Sequence, residues 1–134
     1  MEEIEIPESL YYTKTHEWAR VQGKEVTVGI TAYAVAEMNK EIVNVDLPQV
    51  GVTVTREEPF GVIDSVKATF DLYAPVSGKI VAVNDEIAAS PELVATSPYQ
   101  RGWMVRISIE DTKQMSHLLS PAQYKDLIKQ EKQR

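Results

Sequence analysis

A single lysine stands between two short runs of strand-forming residues, in the segment Asp64-Ser65-Val66-Lys67-Ala68. The flanking runs, Pro59 to Val66 and Thr69 to Tyr73, are typical of the two strands of a β-hairpin. A hairpin tip exposes the lysine amine while the strands hold its backbone. Composition alone favours an ordinary solvated lysine at that tip.

The other residues that could do chemistry match no enzyme pattern. The two histidines, His16 and His117, accompany no nucleophile motif, and His16-Glu17 is not a helical His-Glu-x-x-His zinc site. The six glycines form no phosphate-binding loop. The chain has no cysteine, which excludes a thiol nucleophile, a disulfide and a Cys-ligated metal. We therefore predict a non-enzyme with no catalytic residue and no metal.

The net charge, the apolar runs and the N-terminal residues limit the possible partners and cellular locations of the protein. A formal charge of −6 argues against nucleic acid or an anionic membrane as a partner and suggests docking on basic protein surfaces. No apolar run reaches the ~18 residues of a membrane span. The acidic start, Met1 to Ile6, differs from a secretory signal or a mitochondrial presequence. We expect a bacterial cytoplasmic protein, or a matrix protein only if a presequence was removed.

The 134 residues fit one domain, 1–134, with a β core at about 11–110 and C-terminal helices at about 112–131. Alternating polarity predicts a hairpin of Glu17–Val21 and Glu25–Ile30, and a short helix at 31–38 is capped by Thr31 and ended by Asn39. Further strands are predicted at 41–47, 52–55, 59–66, 69–73, 78–83 and 102–109. The fold class is mainly β (α+β), a compact sandwich or barrel.

Near the C-terminus the pattern turns helical. Asp111 or Thr112 can cap one helical turn, and Ser120-Pro121 can begin a second helix that carries Tyr124 and Ile128 on one apolar stripe. Within the β core, Pro-x-x-Gly-x-x-Val occurs at 48–54 and again at 75–81. If this repeat is not chance, the core consists of two similar halves.

The segment around Lys67 resembles the lipoyl attachment site of the H-protein family of the glycine cleavage system. Further motifs follow in the order of that family. They are Tyr12-Thr13-Lys14-Thr15-His16-Glu17-Trp18, Val28-Gly29-Ile30-Thr31 with Tyr33-Ala34, Val45-Asp46-Leu47-Pro48 with Val50-Gly51, Pro91-Glu92-Leu93-Val94, Ser97-Pro98-Tyr99 and Gly102-Trp103. The similarity spans about residues 11 to 128, whereas a generic lipoyl domain or biotin carrier would share only the central hairpin.

The resemblance implies a lipoyl-domain-like, flattened β-barrel or sandwich that carries lipoate as N6-lipoyl-lysine at Lys67. It implies a shuttle of the aminomethyl group of glycine from glycine decarboxylase to the aminomethyltransferase, with dihydrolipoamide dehydrogenase reoxidising the arm. A lipoate ligase or a lipoyl/octanoyl transferase would attach the arm. The carrier would catalyse nothing alone, and we expect a monomer.

The resemblance also assigns residues around the arm. Asp64, Ser65, Val66 and Ala68 flank the attachment lysine. A resting cleft that shields the loaded arm from hydrolysis corresponds to Thr15, Glu17, Ile30, Glu37, Met38, Thr69 and Asp71. We hypothesise that Glu17 or Asp71 holds the protonated amine of the loaded arm. The alternative is that Glu17 is a surface strand residue and Met38 belongs to the core. Outside the cleft, Trp18 and Trp103 are interpreted as core aromatics and His16 as a structural, hydrogen-bonding residue.

Three places depart from the family pattern. Met38-Asn39-Lys40 stands where Leu-Gly and an acidic residue are usual, Asp64 replaces the commoner Glu, and Phe70 replaces a small residue. Asn tolerates a left-handed backbone, so the turn can survive. Phe70 is either a partner contact or part of the cleft wall.

These departures leave other carriers open. One is an H-like protein that acts as a lipoyl relay or regulatory carrier without glycine turnover. Another is an acyl carrier of a dehydrogenase complex, which the absence of a flexible Ala/Pro linker disfavours.

Overall fold

The computed structural model describes residues 4–132, and its strands form two sheets. The strands are β1 (Tyr11–Tyr12), β2 (Glu17–Gln22), β3 (Glu25–Ile30), β4 (Ile42–Asp46), β5 (Thr53–Val54), β6 (Pro59–Ser65), β7 (Thr69–Tyr73), β8 (Gly78–Val83) and β9 (Val105–Ser108). One sheet has the order β1-β2-β3-β9-β8-β5, and the other has the order β4-β6-β7. Within the described residues neither sheet closes on itself, so the architecture is a sandwich and not a barrel.

Helices connect the strands and complete the C-terminal end. They are α1 (Ala32–Glu37), α2 (Glu86–Ala89), α3 (Glu92–Thr96), a 3₁₀ helix (Thr112–His117) and α4 (Pro121–Lys132). The predicted helix at 31–38 and the helical C-terminal extension are therefore confirmed. The short helices α2 and α3 were not predicted, because each is a single turn of helix without an apolar repeat. Their only local signals are acidic residues in the first turn and Pro91 at the start of α3.

The main hydrophobic core lies between the two sheets. Val28 and Ile107 of the larger sheet are buried together with Ile63 and Leu72 of the smaller one, and Val35 of α1 closes one end. Burying such a side chain contributes about 1.5–3 kcal/mol. This interior accounts for the alternation of apolar and polar residues along β3, whereas the pairing of β6 with β7 shifts register between Pro59 and Gly61.

A second, aromatic cluster joins the first strands to α4. Tyr12 and Tyr124 are fully buried and stack with ring centroids 4.6 Å apart. The fully buried Trp18 donates from its indole to the Pro98 carbonyl at 2.9 Å. Trp103 packs at the edge of this cluster with Arg106 4.6 Å over its ring. Both tryptophans are thus structural, as predicted.

Both ends of α1 have the capping residues that the sequence predicted. The Thr31 side chain accepts from the amide of Ala34 at the N-terminus. Asn39 ends the helix in the left-handed region, with φ 55°, which is the role expected of it. Lys40 is also left-handed, with φ 60°, and this was not expected because a lysine there costs roughly 1–2 kcal/mol.

Strand β4 departs from strict alternation. Its pairing with β6 shifts register between Ile42 and Asn44, which marks a β-bulge. The bulge lets Ile42 and Val45 both face the core although they are an odd number of residues apart. Val43 is left 53 % exposed as a result.

The C-terminal segment is held by backbone pairing as well as by apolar contact. Tyr12 and Leu119 exchange amide-to-carbonyl bonds of 2.8 and 2.7 Å. Helix α4 then begins with a capping box, in which the Ser120 hydroxyl accepts from the Gln123 amide and the Gln123 side chain accepts from the Ser120 amide.

The two copies of the sequence repeat both form a turn followed by a strand. Those strands, β5 and β8, pair with each other in antiparallel fashion. The matched valines differ, because Val54 is buried and Val81 is 40 % exposed. The glycines differ too, since Gly51 has a positive φ of 99° whereas Gly78 lies directly against the Ser108 carbonyl.

No helix among residues 4–132 combines the length and the apolar character needed to cross a membrane.

We predict that Gly29→Ala destabilises the fold. A Cβ at Gly29 would lie 2.6 Å from Cζ2 of Trp18, which is fully buried and cannot move aside. The free energy of unfolding from urea denaturation should fall by about 1–3 kcal/mol. Gly23→Asn is the control, because Gly23 has open space around it and a φ of 64° that asparagine tolerates. Equal stability of Gly29→Ala and the wild type would contradict this account of the β2–β3 pairing.

Candidate functional site

The lysine hairpin is closed by one serine. The Ser65 amide donates to the Ala68 carbonyl at 2.8 Å, and the Ala68 amide donates to the Ser65 hydroxyl at 3.2 Å. The hydroxyl in turn lies 3.1 Å from the Ala68 carbonyl, to which it donates. The tip therefore consists of Val66 and Lys67, and the serine side chain fixes its shape.

Asp64 ties the hairpin to its neighbours. Its carboxylate accepts from the Thr69 hydroxyl at 2.7 Å across the hairpin and from the Asn44 amide group at 3.2 Å on β4. Since both oxygens are engaged within the small sheet, Asp64 braces the base of the tip and does not pair with Lys67. Asp64, which stands where the family usually has glutamate, thus stabilises the base of the hairpin through short hydrogen bonds to neighbouring strands.

Lys67 is exposed, and its side chain makes no hydrogen bond or ion pair with the described part of the chain. The neighbouring Val66 is 64 % exposed. The amine is consequently open to a modifying enzyme, on a backbone that Ser65 and Asp64 hold in place.

A cleft of about 440 Å³ opens beside β7. All seven residues assigned to the arm-shielding cleft line it: Thr15, Glu17, Ile30, Glu37, Met38, Thr69 and Asp71. Seven further residues also line it: Lys14, His16, Ala34, Ile63, Phe70, Leu72 and Tyr73. Thr69 and Asp71 follow Lys67 by two and four residues, so they lie at most roughly 7 and 13 Å along the strand from it.

Glu17 is a buried carboxyl at this cleft and not the surface residue of the alternative interpretation. It is 2 % exposed. Its Oε1 accepts from the hydroxyls of Thr13, at 2.7 Å, and Thr15, and its Oε2 accepts from the Tyr73 amide at 3.2 Å. Burial raises its pKa to about 7, and the three hydrogen bonds oppose part of that rise.

The cleft combines acidic groups with an apolar wall. Glu37 and Asp71 are exposed at its rim, whereas Glu17 lies buried within it. Ile30 is buried and Met38 half-buried among its other lining residues. Such a surface suits a mostly apolar ligand that ends in a cationic group.

His16 has the structural role predicted for it. Its ring lies 2.8 Å from the Tyr124 hydroxyl and 3.3 Å from the Glu131 carboxylate, and it stacks on Tyr33 at 4.8 Å. In the described residues, no group of three or more histidine, aspartate or glutamate side chains could hold a metal ion.

Phe70 is 40 % exposed and lines the cleft, which places it in the cleft wall. Thr13 was missed as a contributor to the site. Residues 13–16 form a turn with His16 in a left-handed conformation, so no strand alternation in the sequence indicates that the Thr13 hydroxyl meets the Glu17 carboxyl. The Tyr73 contribution comes from its backbone and therefore has no sequence signal.

Two packed sheets, a hairpin that presents one lysine and a C-terminal helix define a lipoyl-domain-like β-sandwich. Comparison with known proteins gives the particular family. The family model described as glycine cleavage H-protein matches residues 10–131. The chain belongs to the glycine cleavage H-protein family.

Individual relatives agree with this assignment. The chain is 46 % identical over 128 residues to the glycine cleavage system H protein of Bacillus cereus (strain AH187), covering 96 % of this chain and 100 % of that protein. The same figures hold for the protein of that name from Bacillus anthracis (strain A0248). A crystal structure of a glycine cleavage system H protein from Mycobacterium marinum superposes with a TM-score of 0.79 at 36 % identity, covering 90 % of this chain and 97 % of that one.

The buried Glu17 predicts a pH dependence of stability. Its folded pKa of about 7 lies above the ordinary value of 4.5, so the unfolded chain ionises first as the pH rises. The free energy of unfolding should therefore fall between about pH 4.5 and 7 and then level off, by about 3 kcal/mol at ~1.4 kcal/mol per pKa unit. Glu17→Gln lacks this titration, so its denaturation profile should lose that decline.

The matched control is Glu58→Gln, which removes an exposed carboxyl and should keep the wild-type slope. The same decline in wild type and Glu17→Gln would show that Glu17 does not titrate in this range.

Proposed function

We propose that this chain is the lipoyl carrier of the glycine cleavage system and that Lys67 carries the arm. The observation that carries the proposal is the exposed amine of Lys67, at a rigid tip beside an acid-lined cleft, in a member of the H-protein family. The family match favours this role over a regulatory carrier without glycine turnover.

The residues present fit a lipoyl group. Its carboxyl, once activated, would form an amide with the Lys67 amine, which has no competing partner among the described residues. When bound, the group supplies a dithiolane that accepts the aminomethyl group at glycine decarboxylase, yields it at the aminomethyltransferase and is reoxidised by dihydrolipoamide dehydrogenase. Ser65, Asp64, Val66 and Ala68 present the lysine to the attaching enzyme, a ligase or a lipoyl/octanoyl transferase.

The cleft is proposed as the shelter of the loaded arm. Ile30 and Met38 would contact its aliphatic part and exclude water. Asp71 would hold the protonated amine as an ion pair, because its carboxylate is exposed at the rim and has no other partner in the described chain. Glu17 is already bonded to three donors and titrates near neutrality, so its role is a hydrogen bond deeper in the cleft.

The remaining assignments complete the proposal. Residues 1–134 act as one carrier domain, a monomer that performs no catalysis alone and does not act on nucleic acid or membranes. The bacterial origin of the relatives supports a cytoplasmic location. Its partners recognise it successively, and the formal charge of −6 favours basic docking surfaces on them.

Attachment and function are tested at the same residue. Wild-type chain co-expressed with a lipoate ligase should gain the mass of one lipoyl group and support exchange of bicarbonate with the glycine carboxyl by purified decarboxylase. Lys67→Arg should gain no mass and support no exchange, because a guanidinium is not acylated under these conditions. Lys79→Arg, another exposed lysine on a strand, should behave as wild type.

Mass gain in Lys67→Arg would refute the attachment site. A lipoylated wild-type chain that fails in the exchange assay would instead refute glycine turnover and favour the regulatory carrier.

The shelter is tested by release of formaldehyde and ammonia from the loaded arm without partner enzymes. Asp71→Asn should speed release about two- to fivefold, which is the effect expected of an exposed ion pair of roughly 0.5–1 kcal/mol. Asp126→Asn, on an exposed face of α4, should leave the rate unchanged. A wild-type release rate in both Asp71→Asn and Glu17→Ala would rule out carboxylate recognition of the amine.

A further inference from the structure

The loop between β1 and β2 forms a wall with open space on both sides. Lys14 and Thr15 line the arm cleft on one side and a second cavity of about 320 Å³ on the other, and Thr13 lines the second cavity. Lys14 and Thr15 are exposed, and the main core does not pack against them. The position of this loop must therefore be set at its ends.

At one end of the loop the backbone adopts a strained conformation. The His16 amide donates to the Thr13 carbonyl at 3.1 Å, and the Thr13 amide donates to the Glu17 carbonyl at 3.0 Å. Between these bonds His16 has a φ of 72°. A hairpin loop that ends in a left-handed residue normally has glycine there, and a side chain at that position costs roughly 1–2 kcal/mol.

The contacts of the His16 ring offset that cost. The side chain is only 18 % exposed and lies between two helices. It stacks on Tyr33 of α1 at 4.8 Å, and its Nδ1 lies 2.8 Å from the Tyr124 hydroxyl of α4. Its Nε2 lies 3.3 Å from Glu131, which is about two α4 turns beyond Tyr124. The ring therefore ties the loop to both helices.

A chain of hydrogen bonds gives each of these groups a definite role. Burial raises the pKa of the Tyr124 phenol, so the phenol stays protonated and can donate to Nδ1 of His16. The Tyr124 oxygen then accepts from the Thr31 hydroxyl at 2.7 Å. In that arrangement Nε2 of His16 carries the proton and can donate to Glu131. Every member has a partner, which makes the network specific for one loop position.

We infer that His16 is a positioning residue, through which α4 holds the loop at residues 13–15 against Glu17 and keeps the wall of the cleft closed. The step from loop to cleft is short, because the hydroxyls of Thr13 and Thr15 both donate to the Glu17 carboxylate. Moving the loop outward into the second cavity would break these bonds and admit water to Glu17. The expected effect on the loaded lipoyl arm rests on the proposed shelter function. The role of His16 in holding the loop at residues 13–15 does not depend on that function.

The first experiment uses the unlipoylated chain and His16→Gly, which keeps the left-handed backbone and removes only the ring. Hydrogen exchange of the amides at positions 13 and 16 should accelerate roughly tenfold, as expected when the anchoring hydrogen bonds are lost. The Glu17 carboxyl, followed by ¹³C NMR, should titrate below its midpoint of about 7, towards the ordinary value of 4.5. A merely destabilised fold would not lower that midpoint.

Two further variants separate positioning from stability. Tyr124→Phe keeps the stack on Tyr12 but removes the hydroxyl, and it should move both readouts in the same direction by a smaller factor. Ile80→Val, in the core far from the loop in sequence, should lower stability by about 0.5–1.5 kcal/mol and move neither readout. Lys125→Ala removes an exposed α4 ion pair with Glu8 and should also move neither.

The second experiment measures release of formaldehyde and ammonia from the lipoylated, loaded chain. His16→Gly should release them several-fold faster than wild type, and Lys125→Ala should match wild type. Unchanged amide exchange and an unchanged Glu17 midpoint in His16→Gly would overturn the inference. Altered exchange and midpoint with unchanged release would uphold the positioning role of His16 and overturn the proposed shelter.

Discussion

The burial of the Glu17 carboxyl is the constraint on which the site depends. A carboxyl removed from water is costly unless donors surround it, and here the donors come from separate parts of the chain. Two are hydroxyls of its own hairpin loop, and the third is the Tyr73 amide of the other sheet. Satisfying this one group therefore fixes the relative positions of β2, β7 and the loop at residues 13–15. The cleft exists because these three elements meet there.

The lysine hairpin and the cleft differ in how they are stabilised. Ser65 and Asp64 lock the tip at Lys67 through partners within the small sheet. The cleft wall, in contrast, is held by a histidine ring and a helix from the far end of the sequence. The proposed shelter function requires both properties, because an arm on Lys67 would start from a fixed point and would leave the cleft at each partner enzyme.

Much of the fold and of the candidate site could be predicted from the sequence. The features that were not predicted share a cause, because they depend on contacts between distant parts of the chain. The lysine hairpin, the cap of α1 and the start of α4 depend on local patterns, and the structure has all three. Helices α2 and α3 are set by the burial of Ile87 and Val94 and carry only weak local signals, whereas the bulge in β4 is set by its partner strand. The burial of Glu17 depends on a backbone amide 56 residues away, which no side-chain pattern can indicate.

The pairing of Tyr12 with Leu119 also constrains the order of events during synthesis. This bridge and the contacts of His16 with α4 join the first strands to residues from Leu119 onward, so they cannot form until those residues have left the ribosome. The hairpin at Lys67 depends on partners that are nearer in the sequence, namely the Ser65–Ala68 closure, its own two strands and β4, which pairs with β6. The small sheet that presents Lys67 can therefore form before the segment that completes the wall beside Glu17 is available.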